Sequence, residues 1–580
     1  MIRELAKSIR EYKKVSIMTP ILVSMEVVME CLIPFIIANL VNQIKAGCEF
    51  QVIAVYGLVL VLMAGISLLF GAWAGNTCST ASCGLAKNLR KDMFYNIQNF
   101  SFENIDKFSA SSLVTRLTTD VTNVQMAYMM IIRIAIRCPL MLIFAFIMAF
   151  VMGGKMAAIF LFVVPVLGFG LFLVIRRVMP LFRRVFKKYD ALNSSIQENV
   201  KGIRVVKSFV REDYEKEKFD RAAEDVCSDF TRAERILAIN NPLMQFCVYA
   251  VMVFVLSFGS YTVITSRGID LDVGQLSALL TYSFMILMSL MMISMVFVMI
   301  TMAEESGKRI AEVLTEGSTL HNPENPVYDV KDGSVDFDQV SFKYSQAAER
   351  MALADIDLHI RSGETIGIIG GTGSGKSTLI NLIPRFYEAT KGAVLVDGVN
   401  VKEYPFEQLR TQIGLVPQKA TLFSGTIREN LQWRKENATD EEIARALSIA
   451  QASEFVDALP EKYDAVIDQG GKNLSGGQKQ RLTIARALVG EPELLILDDS
   501  ASALDFATDA ALRQAIRRET KNMTVILVSQ RASTIRNADQ IVVLDDGRVA
   551  GIGTHQQLMS TCETYREICL SQLSSEEVGA

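Results

Sequence analysis

Hydrophobic positions divide the chain into two parts of different character. Six long apolar runs with few charges lie within about the first 300 residues. A helix needs about 20 apolar residues to cross a bilayer, and each run is long enough. From residue 334 onward, short β-rich runs alternate with helical segments, which predicts an α/β domain with a mainly parallel sheet. The predicted spans cover residues 15–40, 52–74, 126–152, 156–178, 242–264 and 276–302.

The segments between the spans differ in charge. Those after spans one, three and five are short and hold three basic residues, Lys45, Lys155 and Arg267, whereas residues 176–235 alone carry 15 lysines and arginines. By the positive-inside rule, we expect the long connections, the N-terminus and the C-terminal domain to be cytoplasmic, in a multi-pass protein of the cell membrane. Apolar positions every three or four residues predict that spans two to five continue as helices beyond the bilayer.

The same patterns predict four segments. Residues 1–14 form an amphipathic helix at the membrane surface, because Ile2, Leu5 and Ile9 recur at helical spacing among charges. Residues 15–318 form a six-helix transmembrane domain, and residues 319–333 form a linker that contains two prolines. Residues 334–575 form the α/β domain.

Composition excludes several other classes of protein. Hydrophobic residues make up 50% of the chain, and the mean hydropathy of +0.27 suits a membrane protein. The net charge of −4 shows no basic excess and gives nucleic-acid binding no support. Nine cysteines occur without a CxxC pair, which favours buried thiols over a metal site or a disulfide framework.

A phosphate-binding motif opens the α/β domain. It follows the apolar run TIGII, precedes the helical run TLINL, and matches G-x-x-x-x-G-K-[ST]. Its backbone N–H groups and the following helix N-terminus can hold phosphate, Lys376 can reach the β- and γ-phosphates, and the Ser377 hydroxyl can ligate Mg²⁺. Asp498 ends the buried run LLILD and can hold the Mg²⁺ hydration shell opposite Ser377. The predicted loop comprises Gly370, Gly371, Thr372, Gly373, Ser374, Gly375, Lys376, Ser377 and Thr378.

A second glycine motif lies between the loop and Asp498. The pentapeptide Leu474–Gln478, LSGGQ, precedes the helical run KQRLTIARAL. In this position it resembles the signature of the ATP-binding cassette (ABC) family, and the likeness covers nearly all of the chain. The signature residues predicted to bind nucleotide are Ser475, Gly476, Gly477 and Gln478.

The resemblance assigns roles to further residues. It implies that Tyr344 stacks on adenine, that Gln418 is the Q-loop glutamine and a metal ligand, and that Ser502–Asp505 is the D-loop, with Asp505 in the catalytic set. It implies an all-α transmembrane bundle of the exporter type, followed by a cassette with a helical subdomain. Residues 111–120 and 200–209 resemble the helices that couple the two domains.

The resemblance also implies a dimer. LSGGQ opens a helix, so it forms a second anion-binding helix N-terminus. In the family, this motif closes on ATP held by the other cassette, so one chain cannot complete a site. The implied ligands are ATP and Mg²⁺.

Two positions depart from the family pattern. Asp499 stands where the family has its catalytic Glu, and Gln530 stands where it has a His that contacts the γ-phosphate. The shorter carboxylate is expected to misplace the attacking water, and Gln530 cannot carry positive charge. We therefore expect firm ATP binding with impaired hydrolysis. This pattern resembles the degenerate subunit of heterodimeric bacterial multidrug exporters, whose partner carries Glu and His.

Charged and sulfur-containing residues within the spans leave alternatives open. Glu26 and Glu30 lie one turn apart in the first span, and Arg133 and Arg137 one turn apart in the third. They either pair with one another or line a water-filled cavity. The sixth-span methionines either line a cavity for varied hydrophobic compounds or pack in the bundle and against lipid. They are Met285, Met288, Met291, Met292, Met295, Met299 and Met302.

The sequence therefore predicts an ATP-hydrolysing translocase that exports hydrophobic or amphipathic compounds as one subunit of a heterodimer. Two alternatives are an ATP-gated channel or regulatory membrane protein, and an importer built on the exporter fold. Transport assays in sealed vesicles distinguish the three.

Overall fold

The computed structural model describes residues 1–328, 330, 332–345, 348–500, 503–520 and 522–572, with the side chains at 183, 186, 187, 190, 194 and 302 left out. Ser502 and the end of the predicted cassette, residues 573–575, lie outside this set, as does the side chain of Met302. The chain separates into two compact units. One comprises residues 1–99 and 108–317, and the other comprises residues 100–107 and 318 onward.

The first part of the chain is helical throughout. Hydropathy and length mark five stretches that could span a membrane, and the longest, Ala110–Phe182, holds two successive long helices, α7 and α8. Five of the six predicted spans therefore fall on a long helix, and the third, residues 126–152, covers the end of α6 and most of α7. In chain order the helices are α1 (Ile2–Lys7), α2 (Lys13–Lys45), α3 (Phe50–Gln98), α4 (Phe102–Phe108), α5 (Ala110–Thr115), α6 (Val121–Ile132), α7 (Ile134–Gly153), α8 (Ile159–Lys201), α9 (Ile203–Ser208), α10 (Glu212–Leu237), α11 (Asn240–Thr265) and α12 (Val273–Thr315).

Small residues lie where the long helices of the transmembrane unit cross. Ala38, Ala74, Ala145 and Ala149 are fully buried, and small side chains allow helix backbones to approach closely. The outer face of α3, by contrast, exposes large apolar side chains such as Leu68, as a bilayer-facing helix does. Since α3 has 49 residues, about 75 Å of helix, it extends well beyond a bilayer.

The segment at residues 111–120, which resembles a coupling helix, lies in the transmembrane unit. It forms α5 and a π-helical turn, Arg116–Asp120, that packs on α12. The buried Asp120 carboxylate accepts hydrogen bonds from Ser306 Oγ at 2.8 Å and from Arg309 Nη2 at 2.5 Å. These contacts bind the segment to α12. The other predicted segment, residues 200–209, contains α9, which also belongs to the transmembrane unit.

The segment that joins the cassette unit is residues 100–107, at the start of α4. The Phe102 ring lies 4.4 Å from that of Phe386, and Tyr387 Oη donates a hydrogen bond to Asp106 Oδ2 at 2.7 Å. The domain boundary predicted at residue 318 did not assign this segment to the cassette. The reason is that the composition of eight residues within transmembrane sequence does not show which unit they pack against.

The cassette contains two sheets. Six strands lie in the order β12-β11-β3-β10-β9-β6, and β3, β6, β9, β10 and β11 are parallel. The antiparallel sheet has the order β2-β1-β4-β5, and a two-stranded ladder pairs β7 with β8. The strands are β1 (Val335–Phe342), β2 (Leu353–Ile360), β3 (Thr365–Gly370), β4 (Lys391–Val396), β5 (Val399–Asn400), β6 (Ile413–Val416), β7 (Gly425–Thr426), β8 (Val466–Ile467), β9 (Leu494–Asp498), β10 (Thr524–Val528), β11 (Gln540–Asp545) and β12 (Arg548–Gly553).

The helices of the cassette cover the parallel sheet and form the helical subdomain. Strands β3 and β10 are almost entirely buried, as their continuous apolar runs predict. Helices α15 to α18 pack around a core that includes Ile443, Val456 and Ile484. The helices are α13 (Lys376–Leu382), α14 (Phe406–Gln412), α15 (Ile427–Gln432), α16 (Asp440–Ile449), α17 (Ser453–Asp457), α18 (Gly476–Leu488), α19 (Phe506–Glu519), α20 (Ala532–Ile535), α21 (His555–Thr561) and α22 (Glu563–Gln572). The predicted fold class, a helical membrane bundle followed by an α/β cassette, is confirmed.

Candidate nucleotide-binding site

The carboxyl ends of four adjacent parallel strands carry the predicted site. The phosphate-binding loop follows β3 near the centre of the sheet, with β10 beside it, then β9 and β6. Gln530 follows β10, Asp498 and Asp499 stand at the end of β9, and Gln418 follows β6. In parallel α/β sheets, ligands bind outside the carboxyl ends of the strands. The strand order therefore brings together residues that lie more than a hundred positions apart.

Glycine is required at two positions of the loop. Gly375 has φ +96° at the start of α13, and a Cβ there would lie 2.9 Å from the carbonyl oxygen of Ala352. A Cβ on Gly370 would lie only 2.1 Å from the carbonyl oxygen of Leu544. The loop thus passes too close to neighbouring backbone for any side chain, and its N–H groups remain available to phosphate.

The Lys376 ammonium is held by the loop itself. Its Nζ donates hydrogen bonds to the carbonyl oxygens of Gly370 at 2.8 Å and Gly371 at 2.6 Å. Burial lowers the pKa of Lys376, while the nearby carboxylates of Asp498 and Asp499 oppose that shift. A buried ammonium beside the phosphate-binding loop is suited to neutralise the β- and γ-phosphates.

Ser377 and Asp498 supply oxygen ligands on the other side of the loop. Ser377 Oγ donates a hydrogen bond to Asp498 Oδ2 at 2.9 Å. Burial raises the pKa of Asp498, although the Ser377 hydroxyl and Lys376 act in the opposite direction. Hard oxygen donors of this kind fit Mg²⁺, which keeps several waters and takes few protein ligands. Among the described residues there is no cluster of three or more His, Cys, Asp or Glu that could bind a metal by itself.

A cavity of about 410 Å³ connects these groups. Tyr344 lies at its rim, with its Oη 3.0 Å from Thr378 Oγ1 and its ring edge-on to that of Tyr387. The ring is 46% exposed, so one face is available to a base. The predicted residues that line the cavity are Tyr344, Thr372, Gly373, Ser374, Gly375, Lys376, Ser377, Thr378, Gln418, Asp498, Asp499 and Gln530.

Asp499 and Gln530 line the same cavity. Asp499 has φ +44°, and its backbone N–H donates to the carbonyl oxygen of Val528 at 2.9 Å. Gln418 Nε2 donates to Asp499 Oδ2 at 3.4 Å. Among the described residues that line the cavity, none is a Glu or a His.

The signature motif lies elsewhere on the cassette. Ser475 caps α18, where its Oγ accepts from the N–H of Gln478 and its own N–H donates to Gln478 Oε1 at 2.9 Å. Gly476 and Gly477 form the first turn of α18. Among the described residues that line the cavity, none comes from the signature. The structure therefore separates the signature from the loop of the same chain.

Asp505 is also outside the cavity. It caps α19, accepting from the Thr508 N–H at 2.9 Å and from Thr508 Oγ1 at 2.7 Å. These hydrogen bonds lower the pKa of Asp505. Its observed contacts are those of a helix cap.

Sequence reasoning missed the turn between β11 and β12. Asp546 and Gly547 line the cavity together with Met351 and Ala352. The Gly547 N–H donates to the carbonyl oxygen of Ser374 at 3.2 Å, so the turn supports the phosphate-binding loop. The dipeptide Asp-Gly between two β-rich runs signals a tight turn, but its place beside the loop depends on the pairing of β11 with β3.

Comparison with known proteins agrees with this architecture. Residues 16–291 match the ABC transporter transmembrane region, and residues 353–502 match the ABC transporter family. An uncharacterized ABC transporter ATP-binding protein of Bacillus subtilis, YfiB, is 37% identical over 96% of each chain. The probable multidrug resistance ABC transporter ATP-binding/permease protein YheI, also of Bacillus subtilis, is 30% identical over 95% of this chain and 94% of its own.

A solved structure shares the whole fold. The structure of a bacterial Atm1-family ABC exporter with ATP bound superimposes with a TM-score of 0.80, at 24% identity, over 98% of this chain and 99% of that chain. The chain belongs to the ABC transporter family, as a multi-pass membrane protein whose helical transmembrane region is followed by an ATP-binding domain.

Proposed function

We propose that this chain is one subunit of a heterodimeric ABC exporter of hydrophobic or amphipathic compounds, and that ATP bound at its own phosphate-binding loop turns over slowly. One observation carries the proposal. The side chains at the two positions where the family has a general base and a γ-phosphate contact are Asp499 and Gln530, both of which line the cavity.

The chain has the residues that are needed to bind ATP and Mg²⁺. Lys376 neutralises phosphate charge, and the loop N–H groups hold the β-phosphate. Ser377, Asp498 and Gln418 would hold Mg²⁺, which neutralises charge on the phosphate oxygens during phosphoryl transfer. The Asp498 carboxylate must be ionised for this role, and the neighbouring ammonium of Lys376 favours that form.

The residues needed for ATP hydrolysis are altered at both positions, Asp499 and Gln530. A general base must lie within about 2.6–3.2 Å of the proton that it abstracts. Asp499 is one methylene shorter than Glu, and one of its carboxylate oxygens already accepts a hydrogen bond from Gln418. Gln530 can donate a hydrogen bond, but it cannot place a positive charge beside the developing charge of the transition state.

The signature explains why a partner is needed. Ser475 and its two glycines present a helix N-terminus to solvent, away from this chain's own ATP. Such an N-terminus binds anions. We infer that it completes a site whose loop belongs to a second, different subunit with Glu and His at the matching positions.

The proposed cargo class rests on the transmembrane unit and on the name of one relative. The YheI protein is described as a probable multidrug resistance transporter. In this chain, several half-buried methionines of α12 line a cavity in the transmembrane unit. Flexible, polarisable side chains suit ligands of varied shape.

Mutation of the two half-sites tests the proposal. The chain is purified with its co-purifying partner, and steady-state ATP hydrolysis is measured. We expect Ser475→Ala to reduce hydrolysis strongly, because it damages the competent site, and Asp499→Ala to reduce it far less. Replacing the partner's Glu is expected to reduce hydrolysis by about 10²–10⁴-fold.

A matched control separates nucleotide effects from loss of a helix cap. Thr439 caps α16 through the same type of capping box, with Glu442, so Thr439→Ala removes a comparable cap, worth about 1 kcal/mol, away from ATP. It should leave hydrolysis unchanged. A homodimer with brisk hydrolysis that Asp499→Ala abolishes would overturn the proposal, since Asp499 would then be a working base. Uphill accumulation of a hydrophobic dye in inverted vesicles distinguishes export from a channel.

A further inference from the structure

A cavity of about 480 Å³ lies within the transmembrane unit, between α2, the α6–α7 junction and α12. Its volume is within the range of about 300–1,000 Å³ that is usual for small-molecule sites. Most of its wall is apolar or sulfur-containing. The charged residues that line it are Glu30, Arg133 and Arg137.

Arg137 is paired with two carboxylates of α2. Its Nη2 donates to Glu30 Oε1 at 2.7 Å and to Glu30 Oε2 at 2.8 Å. Its Nη1 lies 3.2 Å from Glu26 Oε1. Glu26 itself is buried behind the cavity wall, with its side chain 8% exposed. The charges of Arg137 and Glu30 therefore offset one another at the cavity surface.

Arg133 lines the same cavity without such a partner. Within the described part of the chain, no ion pair or side-chain hydrogen bond involves its guanidinium. The group lies over α3, where a Cβ on Gly75 would be 3.5 Å from Arg133 Nη1. One turn earlier, a Cβ on Gly71 would be 3.1 Å from Glu26 Oε1. Two glycines on one face of α3 thus lie against Glu26 and Arg133, which do not pair with each other.

An unpaired guanidinium in a transmembrane helix is costly. Insertion of an Arg at the centre of a transmembrane helix costs about 2.5–3.5 kcal/mol, and such residues usually face a cavity, a partner or a transport path. Arg133 stands where α6 ends and α7 begins, at φ −115° and ψ −65°. Its position in the cavity wall leaves the guanidinium N–H groups available to whatever enters the cavity.

The wall beside Arg133 suits an apolar body. Phe284, Met285, Met288 and Met292 present one face of α12 to the cavity, and Met141 presents a thioether from α7. Methionine side chains adapt to different shapes at little cost. Within the described part of the chain, the cavity thus combines a guanidinium that has no ion-pair partner with an adaptable apolar surface.

We propose that this cavity binds an amphipathic monoanion, whose carboxylate, sulfonate or phosphate head accepts hydrogen bonds from Arg133 and whose apolar body packs on the methionines of α12. This inference deepens the proposed export function by naming the charge of the cargo. The ligand can come from the lipid bilayer or from solution, since both supply anionic amphipaths.

Reaction at an introduced thiol tests the sign of the charge without ATP or transport, so a failure of the export proposal does not affect the result. The full chain with Met288→Cys, in phosphatidylcholine nanodiscs, is treated with methanethiosulfonates of opposite charge, sulfonatoethyl and trimethylammonioethyl. Modification at position 288 is quantified by peptide mass spectrometry. We expect Arg133→Gln to lower the anion-to-cation rate ratio at this position about fivefold. Arg133→Lys, which keeps the charge, should preserve the ratio.

The exposed native Cys227 reports the intrinsic ratio of the two reagents in the same sample. Its ratio should not change with Arg133→Gln. A ratio at position 288 that is also unchanged would overturn the proposal. If Arg133→Gln misfolds, the parent Met288→Cys protein still tests the proposal. An anion-to-cation rate ratio at position 288 that is lower than the ratio at Cys227 would contradict a positive charge in the cavity.

Protection of the same thiol identifies the head group. Dodecanoate, dodecyltrimethylammonium and dodecanol share an apolar chain and differ in charge. We expect dodecanoate to slow modification at position 288 most, and Arg133→Gln to remove that advantage. Strongest protection by the cation, or equal protection by all three, would contradict the proposal. Nanodiscs that contain phosphatidylglycerol distinguish the source, since protection without added ligand indicates an anionic lipid.

Discussion

Gln418 and Asp499 are joined by a hydrogen bond, with Gln418 Nε2 donating to Asp499 Oδ2 across 3.4 Å. Gln418 follows β6 and Asp499 immediately follows β9, and these two strands are neighbours in the parallel sheet. The bond places the carboxylate that stands in the position of the family's base against a residue predicted to ligate Mg²⁺.

Lengthening the carboxylate should restore hydrolysis. We expect Asp499→Glu combined with Gln530→His to raise single-turnover hydrolysis at this chain's site by about 10–100-fold, because the base then reaches the attacking water and the His adds a charged donor. Asp546→Glu, the same change on the cavity wall near the β11–β12 turn, is the control. Unchanged hydrolysis in the double variant would show that these two positions do not limit turnover.

Removing the loop ammonium should abolish tight ATP binding. Lys376→Ala deletes the buried cation that the loop carbonyls hold, and we expect the Kd for ATP at this site to rise by more than about tenfold, since a charged hydrogen bond contributes about 1.5–3 kcal/mol. The exposed Lys391 provides a matched control as Lys391→Ala. Equilibrium binding of a fluorescent ATP analogue measures the change, and equal affinities in both variants would exclude the assigned role.

The buried carboxylate of Asp498 should reduce stability at neutral pH. Its pKa is raised by burial, so the folded chain binds this proton more tightly than the unfolded chain does. The resulting stabilisation is present at low pH and is lost as the pH rises through the raised value. Asp498→Asn should therefore raise the Tm at pH 7 in the absence of nucleotide, and this gain should shrink toward pH 4. A Tm that falls at pH 7 in Asp498→Asn would contradict the expected destabilisation by the ionised carboxylate. Whatever the change in Tm, the variant should lose Mg²⁺-dependent ATP binding.

The hydroxyl of Tyr387 should stabilise the packing of α4 on the cassette. Burial and the neighbouring Asp106 raise the pKa of Tyr387, so it remains a donor at physiological pH. Tyr387→Phe removes one hydrogen bond, worth about 0.5–1.5 kcal/mol, and should speed hydrogen exchange in α4 by about two- to tenfold. Tyr404→Phe, which removes a buried hydroxyl bonded to Val396, is the control. Equal rates of hydrogen exchange in α4 for the two variants would mean that the aromatic contacts alone stabilise the packing of α4.

Two native cysteines test the predicted orientation without mutation. Cys48 lies in the short α2–α3 connection, and Cys227 is exposed on α10. An impermeant maleimide applied to intact cells should modify Cys48 and leave Cys227 unmodified until the cells are permeabilised. The reverse pattern would place the cassette outside. Lys155→Cys, at an exposed position after the third predicted span, provides an independent external site.

Local patterns in the sequence were sufficient for the elements and for each motif. The six apolar runs fall on helices, since burial of backbone polar groups in lipid leaves a helix as the available structure. The loop around Lys376 was predictable, because its glycines and following helix are contiguous in the chain. The substitutions Asp499 and Gln530 could be identified from their places beside strongly patterned strands.

Only the tertiary structure decided which distant groups meet. Glu26, Glu30, Arg133 and Arg137 have helical spacing that permits either arginine to pair with either glutamate. With α2 and α6 packed on α3, Glu26 near Gly71 and Arg133 near Gly75, both carboxylates pair with Arg137 and Arg133 stays in the cavity wall. Likewise residues 100–107 belong to the cassette unit and residues 111–120 to the transmembrane unit. The contacts that decide this, the Phe102 ring against Phe386 and the ion pair of Asp120 with Arg309, join residues more than 180 positions apart. Periodicity describes one element at a time, whereas pairing of charges depends on the separation and rotation of neighbouring helices, which the whole bundle sets.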